Sequence, residues 1–203
     1  MVPVAAKEGV EVRVLGIDPG SRFMGFGVVE SRNGALVHVG HGVIKADANA
    51  ALEHRLQHLH RELTRAIALY QPVAVAVEGL FSHRNARSAL VLGHARGVAL
   101  LAAAQGGLDV HEYAPAKVKK SVGAGGADGK DGVARMVRTF LGVAEGERAD
   151  ATDALAVAIC HLNHVRVVLP RAASGTRRGA GAKGALALLE GRISSGYRRP
   201  VAG

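Results

Sequence analysis

Gly16-Ile17-Asp18-Pro19-Gly20-Ser21 joins an apolar segment to a turn through a single acidic residue. The apolar run at residues 12–17 leads into it and predicts a buried strand. Pro19 and Gly20 then end the strand at once, because both residues favour turns. Asp18 therefore stands at the carboxyl end of a strand, where open α/β sheets bind their ligands.

Two further strands are predicted after this turn. Residues 23–30 and 35–44 are largely apolar, and Asn33-Gly34 lies between them. Asn-Gly between two such runs is a strong signal for a β-hairpin. The chain is therefore predicted to begin with a three-stranded antiparallel meander.

The clearest helix is predicted at residues 49–70. Its leucines and Ile67 recur at spacings of three and four, which places them on one helix face. Asp47 or Asn49 is expected to cap its start. Pro72 prevents its continuation, because proline has no backbone N–H to donate.

Glu78 ends a predicted strand in the same way as Asp18. It follows a short Val and Ala run at residues 73–77 and precedes Gly79. The remaining predicted elements are a helix at 85–105, a strand at 108–113, a short helix at 115–122 and helices at 133–141 and 149–165. A meander followed by β-α-β units predicts an α/β fold. Its mixed five-stranded sheet would be antiparallel and then parallel, with helices on both faces.

Composition limits the class of protein. Of the 203 residues 48% are hydrophobic but only 3% are aromatic, which predicts one domain with an aliphatic core. The N-terminus lacks the apolar region of a signal peptide, and no stretch approaches the roughly 18 apolar residues of a membrane span. A single cysteine, Cys160, excludes internal disulfides and fits a reducing, cytoplasmic compartment.

The basic charge is concentrated at the C-terminus. The formal net charge is +9, and residues 171–203 carry seven basic residues and one acid. A basic balance favours an anionic partner, nucleic acid first. We expect a lead-in at 1–11, a domain at 12–168 and a mostly disordered tail at 169–203. The tail would add nonspecific DNA affinity by counterion release, or nothing.

Asp150 and Asp153 join Asp18 and Glu78 as candidate site residues. They lie three apart at the start of the last predicted helix, so both point to one face. Acids at a helix start are also typical of capping, and Asp-Pro-Gly is an ordinary turn, so a purely structural role stays open. If all four meet at one sheet edge, their carboxylates would repel unless cations neutralise them.

Oxygen-only ligands of this kind favour Mg²⁺ or Mn²⁺ over Zn²⁺. Two such ions about 3.5–4 Å apart can hold a phosphodiester, activate water and stabilise the leaving oxygen. Positive residues that would surround such a phosphate are Arg84, Arg87, Arg96, Lys117, Lys119, Lys120 and Lys130.

Three motifs together resemble RuvC-type Holliday-junction resolvases. They are residues 16–22 followed by Gly25 and Gly27-Val28, residues 78–81 with 85–90 and 92–97, and residues 150–156. They occur in the family's order across residues 12–165. The resemblance implies an RNase H-like fold and a homodimer that acts on four-way DNA junctions during recombination and repair. It also implies paired nicks in opposing strands that require Mg²⁺ or Mn²⁺.

The resemblance assigns roles to individual residues. Asp18, Glu78, Asp150 and Asp153 are the implied catalytic, metal-binding acids. Phe81 is implied to stack on an unpaired junction base, which contributes about 1–3 kcal/mol. Lys119 and Lys130 are implied to lie near the scissile DNA, although Gly132 departs from the family and weakens the helix beside Lys130. The expected DNA-binding residues are Phe81, Arg84, Arg87, Lys117, Lys119, Lys120 and Lys130.

The resemblance also implies partner proteins, namely a junction-binding and branch-migration motor complex of RuvA and RuvB. The predicted helix at 85–105 is the candidate for the dimer interface. Its Gly93 and Gly97 lie one turn apart, and glycine inside a helix costs about 1 kcal/mol relative to Ala, so we expect a close contact there.

Other signals are weaker. Residues 125–131 resemble a phosphate-binding loop, but Ala124 and Asp131 depart from its pattern. Zinc is not favoured, because the histidines at 54, 58 and 60 lie on the polar side of a helix without cysteines nearby. His161 and His164 are expected at the surface, and Cys160 is expected to be buried and inert.

Two other functions stay open at this point. Actin-like and sugar-kinase-type phosphotransferases also begin with a strand that ends in Asp-x-Gly, but they normally duplicate the unit over a longer chain. A junction-binding protein without activity is the other. The four acids argue against it, because negative charge at the DNA surface weakens binding.

Overall fold

The computed structural model describes residues 11–79, 85–123 and 129–168, and for residues 129, 130 and 166–168 it describes the backbone alone. The lead-in before residue 11, the glycine-rich segment at 124–128 and the predicted tail from residue 169 lie outside the described residues. The domain boundaries that composition suggests therefore stay predictions.

Five strands form one mixed sheet, as predicted. They are β1 (Val12–Asp18), β2 (Phe23–Arg32), β3 (Ala35–Lys45), β4 (Ala74–Glu78) and β5 (Asp109–Tyr113), and they lie in the order β3-β2-β1-β4-β5. β1, β2 and β3 pair antiparallel, whereas β4 pairs parallel with β1 and with β5. Asn33 and Gly34 both have positive φ, at 50° and 84°, which is the geometry of the predicted tight hairpin turn.

Five helices connect and cover this sheet. They are α1 (Leu52–Tyr70), α2 (Ala86–Gln105), α3 (Pro115–Ser121), α4 (Gly129–Leu141) and α5 (Ala149–Val168). The start of α4 differs from the prediction of 133, because the backbone continues as helix through Gly132 to Gly129. A glycine weakens a helix without preventing it, and here tertiary packing outweighs that cost.

The predicted cap of α1 is wrong. The helix begins at Leu52 after Ala51, which makes no side-chain cap bond. The Asp47 carboxylate instead accepts the backbone N–H of Asn49 at 2.9 Å and so closes the turn before the helix. By contrast, Asn85 caps α2 through its side-chain oxygen, which accepts the backbone N–H groups of Arg87 and Ser88.

Hydrophobic cores lie on both faces of the sheet. Alternate residues of β1 point to opposite sides, so Val14 packs toward α5 while Leu15 and Ile17 pack toward α1 and α2. α3 and α4 pack on α5 and complete the first core. The prediction of helices on both faces is confirmed.

α5 lies directly on β1 and β2 because glycines leave room for its backbone. A methyl group on Gly16 would overlap the carbonyl of Ala154, and one on Gly25 would overlap the carbonyl of Asp150. Gly25 is in turn the partner of Asp18 in the β1–β2 ladder. The start of α5 is therefore held against the strand end that carries Asp18.

By length and composition alone, α2 is long and apolar enough to cross a membrane. No such stretch was expected from the sequence. Such a helix is weak evidence for a span, since core helices of soluble proteins pass the same test. Here α2 packs on α1 and β5, and its Arg96 forms an ion pair with Glu112 of β5 at 2.6 Å. Only 22% of the apolar stretch within α2 is buried, so much of the apolar surface of this helix is exposed in this chain.

Replacing Gly25 with Ala is expected to lower the free energy of unfolding by about 1–3 kcal/mol, because the added methyl group would force α5 away from β2. Urea unfolding followed by circular dichroism measures the change. Gly79→Ala is the matched control, since its nearest atom, the Tyr113 carbonyl oxygen, would lie at an ordinary 3.5 Å. Equal stabilities of the two variants would contradict the close contact.

Candidate active site

Asp18 and Glu78 lie side by side at the same edge of the sheet. Ile17 of β1 and Val77 of β4 are partners in a parallel pair, and the two acids are the next residues along each strand. Each side chain is half-buried. Backbone pairing therefore determines where the two carboxylates begin.

Asp153 joins them in one cavity of about 210 Å³. The cavity is lined by Asp18, Glu78, Asp153 and Lys119 together with Pro115, Val118, Val133 and Ala156. Its apolar walls come from α3, α4 and α5, so the carboxylates lie at the junction of the sheet and three helices. Apolar walls lower the local dielectric and strengthen interactions between charges inside.

Asp150 lies beside this cavity rather than among its lining residues. Its backbone carbonyl packs against Gly25, the ladder partner of Asp18. Its carboxylate oxygen Oδ2 accepts hydrogen bonds from the Arg148 guanidinium at 3.2 and 3.3 Å. The structure thus brings three of the four predicted acids into one cavity and places the fourth next to it, paired with an arginine.

The donor chemistry of these acids fits Mg²⁺ or Mn²⁺, because the ligand atoms are carboxylate oxygens. Among the described residues, however, no three Asp, Glu, His or Cys side chains are close enough to form a metal-binding cluster. Metal coordination by these acids therefore stays a prediction.

The predicted DNA-binding residues have different positions. Lys119 lines the cavity, and Lys117 and Lys120 are exposed on the same short helix, α3. The Lys117 ammonium also lies 5.0 Å from the centre of the Tyr113 ring. Arg87 is exposed in the first turn of α2. Phe81 and Arg84 lie outside the described residues, and so does the side chain of Lys130.

Arg96, which was counted among the surrounding positive residues, has a structural role instead. Its side chain is only 11% exposed and pairs with Glu112. Two of its guanidinium nitrogens, Nε and Nη2, are buried without a hydrogen bond of good geometry. This arginine therefore holds α2 on β5 rather than presenting charge to DNA.

His161 is buried, so the prediction that it lies at the surface is wrong. Only 4% of it is exposed, because α5 is covered on all sides between Ala151 and Leu162 except at Asp153. His164, one turn later, is exposed as predicted. The signal was available in the sequence, since a helix that is apolar all round has no polar face on which to place a histidine.

The buried His161 connects α5 to the strand beside Glu78. Its Nδ1 shares a 2.8 Å hydrogen bond with the hydroxyl of Tyr113, the ladder partner of Glu78. Burial raises the pKa of Tyr113 to about 12. Burial, with smaller effects of His111 and His164, lowers the pKa of His161 to about 4, so both groups are neutral near pH 7. This bond links the end of β5, beside Glu78 of β4, to the helix that carries Asp153.

Burial likewise raises the pKa of the Cys160 thiol, which lies next to His161 in α5. The thiol is 1% exposed. A buried thiol of raised pKa is a poor nucleophile, because the thiolate is the reactive form. The prediction of a buried, inert cysteine is confirmed as to burial.

Comparison with known proteins gives consistent matches. The family model described as "Crossover junction endodeoxyribonuclease RuvC" matches residues 14–161. A curated relative of that name from Myxococcus xanthus is 69% identical over 94% of this chain and 100% of its own length. Another from Acidiphilium cryptum is 51% identical over 77% of this chain and 93% of its own.

A solved structure of RuvC from T. thermophilus in complex with a Holliday junction substrate has the same fold. It superposes with a TM-score of 0.70 at 32% sequence identity, and the match covers 77% of this chain and 96% of that one. The RNase H-like fold predicted from the motifs is therefore confirmed.

The depressed pKa of His161 predicts a loss of stability in acid. Between pH 6.5 and about 4 the unfolded state binds a proton at His161 that the folded state does not, so stability falls as pH falls through this window. The expected loss is about 2–3 kcal/mol. His161→Gln should remove this part of the pH dependence, although it lowers stability at pH 7.

Unfolding free energies measured by urea denaturation at pH 7, 6, 5 and 4.5 provide the test. Tyr113→Phe is the control, because it removes the hydrogen bond but keeps the titrating imidazole. Tyr113→Phe should lose as much unfolding free energy in acid as the wild type does. An unchanged pH slope in His161→Gln would show that the imidazole does not titrate in this way.

Proposed function

The chain belongs to the RuvC family of crossover junction endodeoxyribonucleases, and we propose that Asp18, Glu78, Asp150 and Asp153 carry out its cleavage of DNA with bound Mg²⁺. The chain is thus a DNA endonuclease that resolves Holliday junctions in recombination and repair. The observation that supports the proposed site is the cavity that three of these acids share with Lys119. The phosphotransferase and the inactive binder are no longer needed as alternatives.

The four acids would hold two Mg²⁺ ions, and Mn²⁺ accepts the same oxygen ligands. When bound, such ions supply charge neutralisation for the scissile phosphate and acidify the attacking water. The backbone positions of Asp18 and Glu78 are well defined, because each residue ends its strand and the two strands pair with each other. Asp153 approaches from the first turns of α5, which the Gly16 and Gly25 contacts hold against the sheet.

Lys119 would receive the substrate phosphate. It lies on the cavity wall, and its exposed ammonium offers a positive charge to a phosphate that enters between α3 and the sheet edge. Lys117 and Lys120 on α3, together with Arg87 on α2, extend the positive surface on either side. Resemblance alone adds Phe81 and Lys130 to the proposed DNA-binding set, and positive charge alone adds Arg84.

We also propose that the enzyme works as a two-fold dimer through the outward face of α2. Leu90 and Leu101 are 62% and 51% exposed there, and methyl groups added to Gly93 or Gly97 would meet none of the described residues within 4 Å. The close contact expected at these glycines is thus not made within the described part of the chain. A second copy is the favoured partner, because a four-way junction cut at two related positions suits a two-fold enzyme.

Contacts with RuvA and RuvB, the junction-binding and branch-migration motor, are proposed from the family resemblance alone. The two-fold dimer would leave its two active sites available to opposing strands of one junction. A motor complex that binds the same junction would then have to share it with this dimer.

Asp18→Asn and Glu78→Gln are expected to lower the rate of junction nicking by about a hundred-fold or more, because each removes a carboxylate charge that would hold the metal ions. Junction binding should be retained. The assay is Mg²⁺-dependent cleavage of a synthetic four-way junction, with binding followed by fluorescence anisotropy. Glu53→Gln, which changes a carboxylate in the first turn of α1, is the control and should cleave at the wild-type rate.

Two outcomes would count against the proposal. Wild-type nicking rates in Asp18→Asn would remove that residue from the site. Equal cleavage of linear duplex and junction by the wild type would remove the structural selectivity.

Leu90→Glu is expected to convert the dimer to a monomer, because a buried unpaired charge at a two-fold contact is costly and occurs twice. Light scattering coupled to gel filtration measures the mass. Cleavage of a plasmid with an extruded cruciform reports the function: paired nicks give linear DNA, and uncoupled nicks give open circles. Leu69→Glu, at a leucine of α1 that is 73% exposed, is the matched control and should stay dimeric. A dimeric Leu90→Glu variant would contradict this interface.

A further inference from the structure

Arg148 has a fixed backbone and an exposed side chain at the edge of the proposed site. It lies in the turn between α4 and α5, two residues before Asp150. Its carbonyl oxygen accepts the backbone N–H groups of Ala151 and Thr152 at 3.0 and 3.3 Å, and the Thr152 hydroxyl at 3.2 Å. The first turn of α5 therefore determines where this side chain starts.

Within the described part of the chain, the guanidinium of Arg148 contacts Asp150 and Phe23. Its Nε and Nη2 atoms donate to Asp150 Oδ2 at 3.3 and 3.2 Å, and its central carbon lies 4.0 Å from the centre of the Phe23 ring. Phe23 is the first residue of β2, so the side chain spans from the start of that strand to the start of α5. The side chain nevertheless remains 55% exposed.

The neighbouring acid does not compete for this arginine. Glu147 is turned to His41 of β3, and its Oε2 atom lies 3.1 Å from the histidine Nε2. Asp150 is therefore the carboxylate with which Arg148 forms its ion pair. The pairing matters because Asp150 is one of the four acids proposed to hold metal.

We propose that Arg148 is an exchangeable counter-ion of Asp150: it neutralises that carboxylate in the metal-free protein and turns to a phosphate of the bound DNA once Asp150 turns to the metal. The inference rests on the proposed function, since it assumes that Asp150 is a metal ligand. It assigns to Arg148 a positioning and DNA-binding role that none of the sequence motifs indicates.

The physical argument has three parts. An exposed ion pair contributes little to stability, so exchanging its partner costs little. A planar guanidinium can stay stacked on an aromatic ring while its N–H groups change acceptor, which an ammonium cannot do as well. A phosphate offers two oxygens to the same pair of N–H groups. Phe23 would therefore hold the guanidinium near the site during the exchange.

The exchange has a consequence that a purely structural ion pair lacks. In the absence of DNA, Arg148 competes with the metal for Asp150, so removing the arginine should tighten metal binding. In the presence of metal, Arg148 contacts DNA, so removing it should weaken DNA binding and its dependence on salt. The two effects have opposite signs and are measured separately.

Metal binding is measured first, by titrating DNA-free protein with Mn²⁺ in a calorimeter. Arg148→Ala should bind Mn²⁺ about two- to five-fold more tightly than wild type. Arg61→Ala is the matched control, because Arg61 is 56% exposed and pairs with the adjacent Glu62 at 3.0 Å on α1. This control should bind Mn²⁺ with the wild-type affinity.

DNA binding is measured second, as the salt dependence of junction affinity with EDTA and with Ca²⁺, which also takes oxygen ligands. With Ca²⁺, Arg148→Ala should show a slope of log affinity against log salt that is smaller by about one than that of wild type. With EDTA the two slopes should agree, because Arg148 then stays on Asp150. Arg148→Lys keeps the charge and should restore wild-type Mn²⁺ affinity but only part of the slope.

Unchanged Mn²⁺ affinity in Arg148→Ala would overturn the proposal, and so would a slope difference that persists in EDTA. Asp150→Asn separates this outcome from a failure of the proposed function. If that variant binds Mn²⁺ as tightly as wild type, Asp150 is not a metal ligand and the assignment of the site itself is wrong. If it loses Mn²⁺ affinity while Arg148→Ala does not gain any, only the counter-ion role is lost.

Discussion

The close packing of α5 on β1 and β2 is the constraint on which the rest of the site depends. Gly16 and Gly25 have no side chain at the points where the helix backbone meets the sheet, and a methyl group at either would overlap a carbonyl of α5. This contact places the first turn of the helix against the end of β1. It thereby brings the helix start that carries Asp150 and Asp153 to the strand end that carries Asp18.

A second tie acts from the other side of the site. The hydrogen bond between Tyr113 and the buried His161 joins β5 to α5 at the ladder partner of Glu78. It is made by two neutral groups, because burial disfavours the charged form of each. The strand next to Glu78 and the helix that carries Asp150 and Asp153 are thus joined by a contact between uncharged groups.

The electrostatic design of the site follows from this packing. Three carboxylates in a cavity with apolar walls repel one another, and among the described residues Lys119 on the cavity wall and Arg148 on Asp150 supply positive charge beside them. The two main helix layers also differ. α5 is covered on nearly all sides, whereas α2 keeps an apolar face with Leu90 and Leu101 exposed. The covered helix α5 supports the candidate site, whereas the exposed apolar face of α2 suits contact with a second copy of the chain.

The sequence by itself determined the order of the elements, the hairpin at Asn33-Gly34, the mixed sheet and the strand ends at Asp18 and Glu78, because these depend on local turn chemistry and on periodicity. It also determined the family, since the motifs were read in order along one chain. Only the tertiary structure decided that α1 begins at Leu52 and that Arg96 pairs with Glu112 of β5. It alone decided that Arg148 lies between Phe23 and Asp150. Such contacts join residues far apart in the chain, and neither propensity nor spacing carries information about which side chains meet across a packed core.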